Sequence, residues 1–326
     1  MNQQTQNSHK IGTDLKRAAE LLDAGKVVAI PTETVYGLAA NALDEKAVKE
    51  IFRIKGRPST NPLIIHVGDF QQIWNYAEHV PTAAVLLLET FCPGPLTLVL
   101  PKKSNVPDIV TAGKNTVAIR VPKHPLTQML LKILHYPLAA PSANPSGYIS
   151  PTTAEHVYNN LGDKIDYILD GGACNTGIES TIVGFEGNTP IVYRAGTITI
   201  EQIADVTGQA NLYSGNQHLA PGMSLSHYSP ITPLLVTTDP DQLIALNVAK
   251  KIGLITYNQY SNCLPKEQQI LLCKNEDFRE AARNLYAALH DMDNRYFDLI
   301  IAKQFPPSAI GIALNDRLNR AAAPKP

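Results

Sequence analysis

The feature that most limits what this chain can fold into is an alternation of short strand-like apolar runs with amphipathic segments of helical period, which breaks off once and then resumes. In the first helical segment Leu15, Ala18, Ala19 and Leu22 share a face, Thr13 is placed to cap it, and Gly25 can end it in a left-handed conformation. A strand over residues 26–30 follows, then a second amphipathic segment carrying Ala47, Val48, Ile51 and Ile54. "PLIIHV", "LTLVL", "TVAIRV", "YPLAA", "DYILD", "STIVGF" and "PIVYR" read as further strands, with a helix near residues 126–134. Capping boxes at Thr152-x-x-Glu155 and Thr199-x-x-Gln202 open two more helices, the second ending near Gly208. This order predicts an α/β domain over residues 10–210 with a mixed sheet.

Over residues 211–233 the period lapses into "NLYSGNQHLAPGMSLSHYSPITP", a linker by composition. Beyond it "LLV", "GLIT", "ILL", "DLIIA" and "AIGIAL" read as strands alternating with helical stretches at 241–250 and 276–292. Residues 234–326 thus predict a smaller parallel α/β domain. Two domains suit a chain of 326 residues at about 100–200 residues per domain.

Composition narrows the function. A formal net charge of −1 recruits neither nucleic acid nor an anionic membrane, so any basic site must be local. An RNA-binding patch of Lys55, Arg57, Lys102, Lys103, Lys114, Arg120 and Lys123 is the rival reading, and 6% aromatic residues argue against single-strand stacking. Cys92, Cys174, Cys263 and Cys273 form no C-x-x-C pair, and the polar N-terminal "MNQQTQNSHK" lacks an apolar stretch. These features predict a soluble, cytoplasmic protein with reduced thiols. The chain has no G-x-x-x-x-G-K-[ST] loop, no G-x-S-x-G elbow and no H-x-x-x-H pair. Asp291 and Asp293 in "HDMDN" would point apart on a helix and read as solvated surface.

The remaining polar residues gather at strand ends and the loops after them, where open α/β sheets bind ligands. "PTETVYGLAAN" presents Thr32, Glu33, Thr34 and Tyr36 directly after a strand. In "KGRPSTN" an extended loop would aim Lys55 and Arg57 to the same side, beside Ser59, Thr60 and Asn61, a set suited to polyphosphate or equally to a solvated basic loop. On "TVAIRV" Arg120 shares a face with Thr116 and Ala118, opposite Val117, Ile119 and Val121. A buried Arg there needs an anion, whether a structural carboxylate or a ligand. "APSANPSG" offers Ser142, Asn144 and Ser146, and "GIESTIVG" offers Ser180 and Thr181, as donors to phosphate or sugar oxygens or as ordinary turn hydroxyls.

In the order "PTETVYGL", "KGRPSTNPLIIHV", "PGPLTLVL", "TVAIRVP", "APSANPSG", "DGG", "ESTIV" and "YRAGTIT", the chain resembles the YrdC-like threonylcarbamoyl-adenylate synthases. "APGMSLSHYSP" and "AIGIALNDRLNRAA" extend the likeness to their longer two-domain form, over roughly residues 10 to 322. The resemblance implies a YrdC-like twisted open mixed sheet with helices, plus a smaller Rossmann-like parallel C-terminal domain. It implies an enzyme that joins L-threonine, bicarbonate and ATP, with Mg2+, into threonylcarbamoyl-AMP and pyrophosphate. A separate transferase complex would then act on tRNA. Maturation factors that form carbamoyl-adenylate share the domain but add acylphosphatase-like and cysteine-rich zinc modules, neither of which occurs here.

By the same resemblance, Thr34, His66, Arg120, the backbone near Ala140, and Ser180 surround threonine. Arg57, Asn61, Thr116, Ser142, Asn144, Ser150 and Arg194 surround ATP, with Lys55 completing the K-x-R pair and Lys55 and Arg57 as catalytic cations. Tyr228 of the linker, with His227, folds over the nucleotide. Two departures stand out: Ser224-Leu225 replaces a frequent Lys-Tyr, implying weaker electrostatic help from the linker, and Ala195 replaces a frequent proline, implying a looser Arg194 loop.

Overall fold

The computed structural model describes residues 10–215, 221 and 227–324, so the N-terminal tail and Ser224-Leu225 lie outside the described residues. The first 212 positions carry β1 (Ile11–Gly12), β2 (Val28–Ile30), β3 (Gly37–Asn41), β4 (Ile64–His66), β5 (Leu96–Pro101) and β6 (Thr116–Arg120). They continue with β7 (Leu138–Ala139), β8 (Tyr167–Leu169), β9 (Thr181–Glu186), β10 (Thr189–Arg194) and β11 (Asn211–Leu212). These strands make one mixed sheet in the order β1-β8-β2-β3-β7-β4-β6-β5-β9-β10-β11. β11 pairs parallel to β10 through Ile191 and Asn211, so the first residues of the stretch read as linker extend the sheet instead.

A separate parallel sheet follows, of β12 (Leu234–Thr237), β13 (Ile252–Thr256), β14 (Gln269–Leu271) and β15 (Leu299–Lys303), in the order β12-β15-β13-β14. "AIGIAL" is not a strand; it opens the helix Ile310–Ala322. A short apolar run fits either period, but burial of Ile310, Ala313, Leu314, Arg317, Leu318 and Ala321 follows the helical one.

Local signals place the helix starts. Asp14, not Thr13, caps Leu15–Asp23, its carboxylate accepting from Arg17 N at 3.1 Å. Ala154–Leu161 starts one residue later than the Thr152 box implies: Thr153 Oγ1 takes His156 N at 3.2 Å while Thr152 meets the His156 ring. The Thr199/Gln202 capping box forms as the sequence predicts, and Gly208 ends that helix at φ 82°.

The main core packs the large sheet against its helices through residues such as Leu38, Ile51, Leu63, Ile65, Leu98 and Ile119. A second buried cluster joins the two units, setting Val35, Ile149 and Ile178 against Tyr228, Leu285, Tyr286 and Leu314. Polar clamps reinforce that contact. Asp293 is half-buried rather than solvated, because it accepts from Tyr148 OH at 2.8 Å and from the Ile231 and Thr232 amides at 3.0 and 2.8 Å. Its neighbour Asp291 stays at the surface, paired with Arg295.

Candidate active site

A cavity with about 560 Å3 of atom-free space lies where the centre of the large sheet meets the linker. The loop after β2 forms one wall. Thr32 organises it: its hydroxyl donates to Val35 O at 2.6 Å, accepts from the Thr34 and Val35 amides, and contacts Thr34 Oγ1 at 2.8 Å. These bonds set the turn that leaves Thr34 fully buried.

Arg120, the last residue of β6, donates to Thr34 Oγ1 at 2.8 Å and forms an ion pair with Glu33 at 2.7 Å. Glu33 also accepts from Lys123 N at 2.9 Å. The anion that a buried Arg120 requires is therefore a carboxylate of its own chain, and the guanidinium nevertheless lines the cavity. His66 stands opposite Arg120 in the parallel β4–β6 register. Burial, then the Arg120 charge, pushes its pKa down to about 3, so it is neutral, and its Nδ1 has no partner among the described residues.

Arg57 and Arg194 differ from Arg120. Arg57 Nε and Nη2 donate to the Asn61 and Pro62 carbonyls at 3.1 and 2.8 Å, and burial lowers its pKa to about 10. Arg194, ending β10, donates to Ser180 O at 2.9 Å, to Ser180 Oγ at 3.1 Å and to Pro221 O at 3.2 Å. Among the described residues neither has an ion pair. Two buried guanidiniums held only by carbonyls and a hydroxyl leave a positive charge that an anionic ligand would neutralise.

Ser180 also lines the cavity and shares a 2.7 Å hydrogen bond with Thr97. Ala140 and Ser142 complete that wall, the Ala140 amide being spent on Ile64 O at 3.0 Å. Pro221, His227 and Tyr228 cover the cavity. Tyr228 is buried at φ 66°, its ring 4.1 Å from that of His227, and among the described residues both Tyr228 OH and His227 Nδ1 lack partners. Burial pushes the pKa of His227 down to about 3. Three orphaned polar groups around one cavity mark a place built for a polar ligand.

Five expected residues do not line this cavity, though Lys55 and Ser150 bond residues that do. Lys55 is the last residue of the helix Glu45–Lys55, and Gly56, at φ 61°, turns the chain before Arg57. Arg57 lines the cavity, while Lys55 is spent on carbonyls of the loop that lines it. The Lys55 ammonium donates to the Ser142 carbonyl at 2.5 Å and to the Asn144 carbonyl, stiffening that loop, and burial lowers its pKa well below the usual range. Asn61 contributes its carbonyl to Arg57. Thr116 stands at the far end of β6 opposite Pro101, about 13 Å along the strand from Arg120. The Asn144 amide bonds the Pro145 and Tyr148 carbonyls, both at 2.8 Å. Ser150 donates to Glu179 at 2.7 Å.

Glu179 is the lining residue that sequence reasoning passes over, although it stands inside the quoted "ESTIV". Burial opposes its ionisation, but Arg317 and Arg194 outweigh burial and pull its pKa down to about 2. Its charge sits in an ion pair with Arg317 at 2.8 Å. With Glu33 and Glu179 both paired to arginines, and no cluster of three metal-type ligands among the described residues, the cavity offers a divalent cation no protein cage.

Fold and cavity together define a two-unit α/β protein of a recognisable family. The family model named for Sua5, YciO and YrdC, described as telomere recombination, matches residues 20–196, and the threonylcarbamoyl-AMP synthase C-terminal domain matches residues 198–323. A threonylcarbamoyl-AMP synthase of Pyrococcus abyssi is 40% identical over 323 residues, covering 94% of this chain and 93% of that protein. One from Bacillus subtilis is 39% identical over 320 residues, covering 94% and 92%. The crystal structure of P. abyssi Sua5 complexed with L-threonine superposes with a TM-score of 0.87 at 41% identity, covering 94% of each chain. The chain belongs to the Sua5–YciO–YrdC family, in its longer form, and is an enzyme. No helix among its described residues is long and apolar enough to cross a membrane.

Proposed function

We propose that this enzyme joins L-threonine, bicarbonate or CO2, and ATP into threonylcarbamoyl-AMP and pyrophosphate, in the cytoplasm, as the first step of tRNA threonylcarbamoyladenosine formation. One observation carries the reading: Arg57 and Arg194 are buried in a single cavity, beside a small pocket of Thr34, His66, Arg120 and Ser180, and among the described residues neither forms an ion pair with a carboxylate. The first pair suits phosphates; the second suits a small hydroxy amino acid carrying a carboxylate. A relative bearing L-threonine supports the same assignment.

The chemistry needs no side-chain nucleophile. The neutral amine of threonine takes up CO2 to give a carbamate, whose oxygen attacks the α-phosphorus of ATP; the bond to the bridging oxygen breaks and pyrophosphate leaves. Attacking and leaving groups are both anionic, so the protein's task is alignment and charge neutralisation. Arg57 and Arg194 serve the phosphates. Arg120, with donors beyond those given to Glu33 and Thr34, serves the threonine carboxylate. Mg2+ enters as the counter-ion of ATP. Pro221, His227 and Tyr228 lie over the cavity that would receive ATP. Lys55 steadies the Ser142 loop rather than touching phosphate. Threonylcarbamoyl-AMP then passes to a separate transferase complex.

The rival RNA patch loses its geometry, since Lys55, Arg57 and Arg120 are all buried. The deciding experiment incubates the purified protein with ATP, Mg2+, bicarbonate and each amino acid in turn. Mass spectrometry is expected to detect threonylcarbamoyl-AMP with threonine; its absence, under conditions where a curated relative forms it, would overturn the reading.

A further inference from the structure

Glu179 poses a problem for a cavity that is to hold phosphates. Its carboxylate stands in the wall beside Ser180 and close enough to Arg194 for each to influence the other's charge. Left bare, it would repel a triphosphate.

The second unit covers it. Arg317 Nε donates to Oε2 at 2.8 Å, and Tyr286 OH lies 2.9 and 3.1 Å from the two oxygens. Both residues are fully buried, and they come from the helices Ile310–Ala322 and Phe278–Asn294. Arg317 also donates to the Ala195 carbonyl at 2.9 Å, on the loop after Arg194, and its guanidinium lies 5.4 Å from the ring centroid of Tyr228. One side chain from the small unit therefore reaches two residues of the cavity wall, Glu179 and Tyr228, and the loop after Arg194. The contact is close at the backbone too: at Gly177, with φ 81°, a Cβ would stand 2.3 Å from Arg283 Cα.

We propose that the C-terminal unit completes the nucleotide site by charge compensation: Arg317, assisted by Tyr286, masks Glu179 so that Arg57 and Arg194 meet ATP as uncompensated cations. The proposal rests on the nucleotide reading above and adds a part for the second unit. Arg317 is a positioning residue, acting through Glu179. Without it, Glu179 either keeps its charge and repels phosphate or takes up a proton, because burial then dominates. The other titratable groups around Glu179 are Tyr286, Arg194, His227 and Tyr228, and Arg317 is shared with Asp316, which keeps Arg320 as a partner. His227 is neutral near pH 7 and burial pushes both tyrosines further above it, so Glu179, once Arg317 is gone, is the group whose charge burial works to change.

The test is calorimetric titration of the full-length protein with Mg2+-ATP at pH 6 and 8. Arg317→Met is expected to weaken ATP binding about tenfold or more at pH 8 and less at pH 6, where a displaced Glu179 is more often protonated. The Glu179→Gln/Arg317→Met double variant should return to within about threefold of wild type and lose the pH difference, and Tyr286→Phe should weaken binding about threefold with the same pH sense. Wild-type affinity in Arg317→Met, or an equal, pH-independent loss in the single and double variants, would overturn the proposal by making the pair merely structural. Should Arg317→Met fail to fold, Tyr286→Phe decides, and unchanged affinity there overturns it. A wild-type protein that binds no ATP refutes the nucleotide reading itself, whereas wild-type binding with indifferent variants refutes only the compensation.

Discussion

Two arginine sites a few residues apart in the fold follow opposite rules. At the contact between units, Arg317 meets Glu179, Asp316 and the Ala195 carbonyl, and Glu179 in turn takes Ser150 and Tyr286, so every charge is answered from within the chain. In the cavity, among the described residues, Arg57 and Arg194 meet carbonyls and a hydroxyl, and His66, His227 and Tyr228 keep polar atoms without partners. A satisfied buried charge holds a structure together; an unsatisfied one is tolerated where a ligand supplies the missing half.

The contrast breaks first at Arg57. Removing it should cost about 3–4 kcal/mol of transition-state stabilisation, a hundredfold or more in rate, with thermal stability unchanged or raised because a buried unpaired charge disappears. Threonine-dependent pyrophosphate release and a melting curve check both halves, and a variant retaining more than about a third of wild-type turnover would remove Arg57 from the site. Gly177→Ala attacks the satisfied side. Its left-handed backbone and the 2.3 Å approach to Arg283 leave no room for a methyl group. A loss of about 2–4 kcal/mol is expected, read as earlier unfolding and faster proteolytic separation of the units; a normal melting temperature would mean the loop retreats freely.

Acid sharpens the same contrast. The folded Glu179 has its pKa depressed to about 2, so its stabilisation is present above the ordinary carboxylate value and is lost as pH falls toward the folded one. Between pH 5 and 3 this group alone should forfeit about 2 kcal/mol, measurable by urea unfolding at the two pH values. Equal stability at both would show that Glu179 is not held as an anion. The smallest effect belongs to a residue remote from both sites: Thr199→Ala removes a capping-box hydroxyl and should cost about 1 kcal/mol without altering turnover.

Legibility in the sequence follows the range of each interaction. The cap at Thr199, the turn at Gly208 and the two faces of "TVAIRV" depend on neighbours within a few positions, and they form as read. The K-x-R spacing does not show that Lys55 closes a helix, that left-handed Gly56 turns the chain, and that the ammonium is spent on the Ser142 and Asn144 carbonyls. "AIGIAL" misleads because six apolar residues carry no distinct period; the thirteen of the complete helix do.

By itself, the sequence determined the alternating α/β pattern, the lapse between two units, and the inventory of hydroxyls and guanidiniums that phosphate and amino-acid chemistry calls for. Only the tertiary structure decided which of those groups share a cavity and which are already answered by the chain. Arg120 finds Glu33 at a separation of 87 residues, and Arg317 finds Glu179 at 138. Propensity and periodicity act over a turn or two of backbone, whereas charge compensation depends on distance through space, which exists only once the sheets have packed.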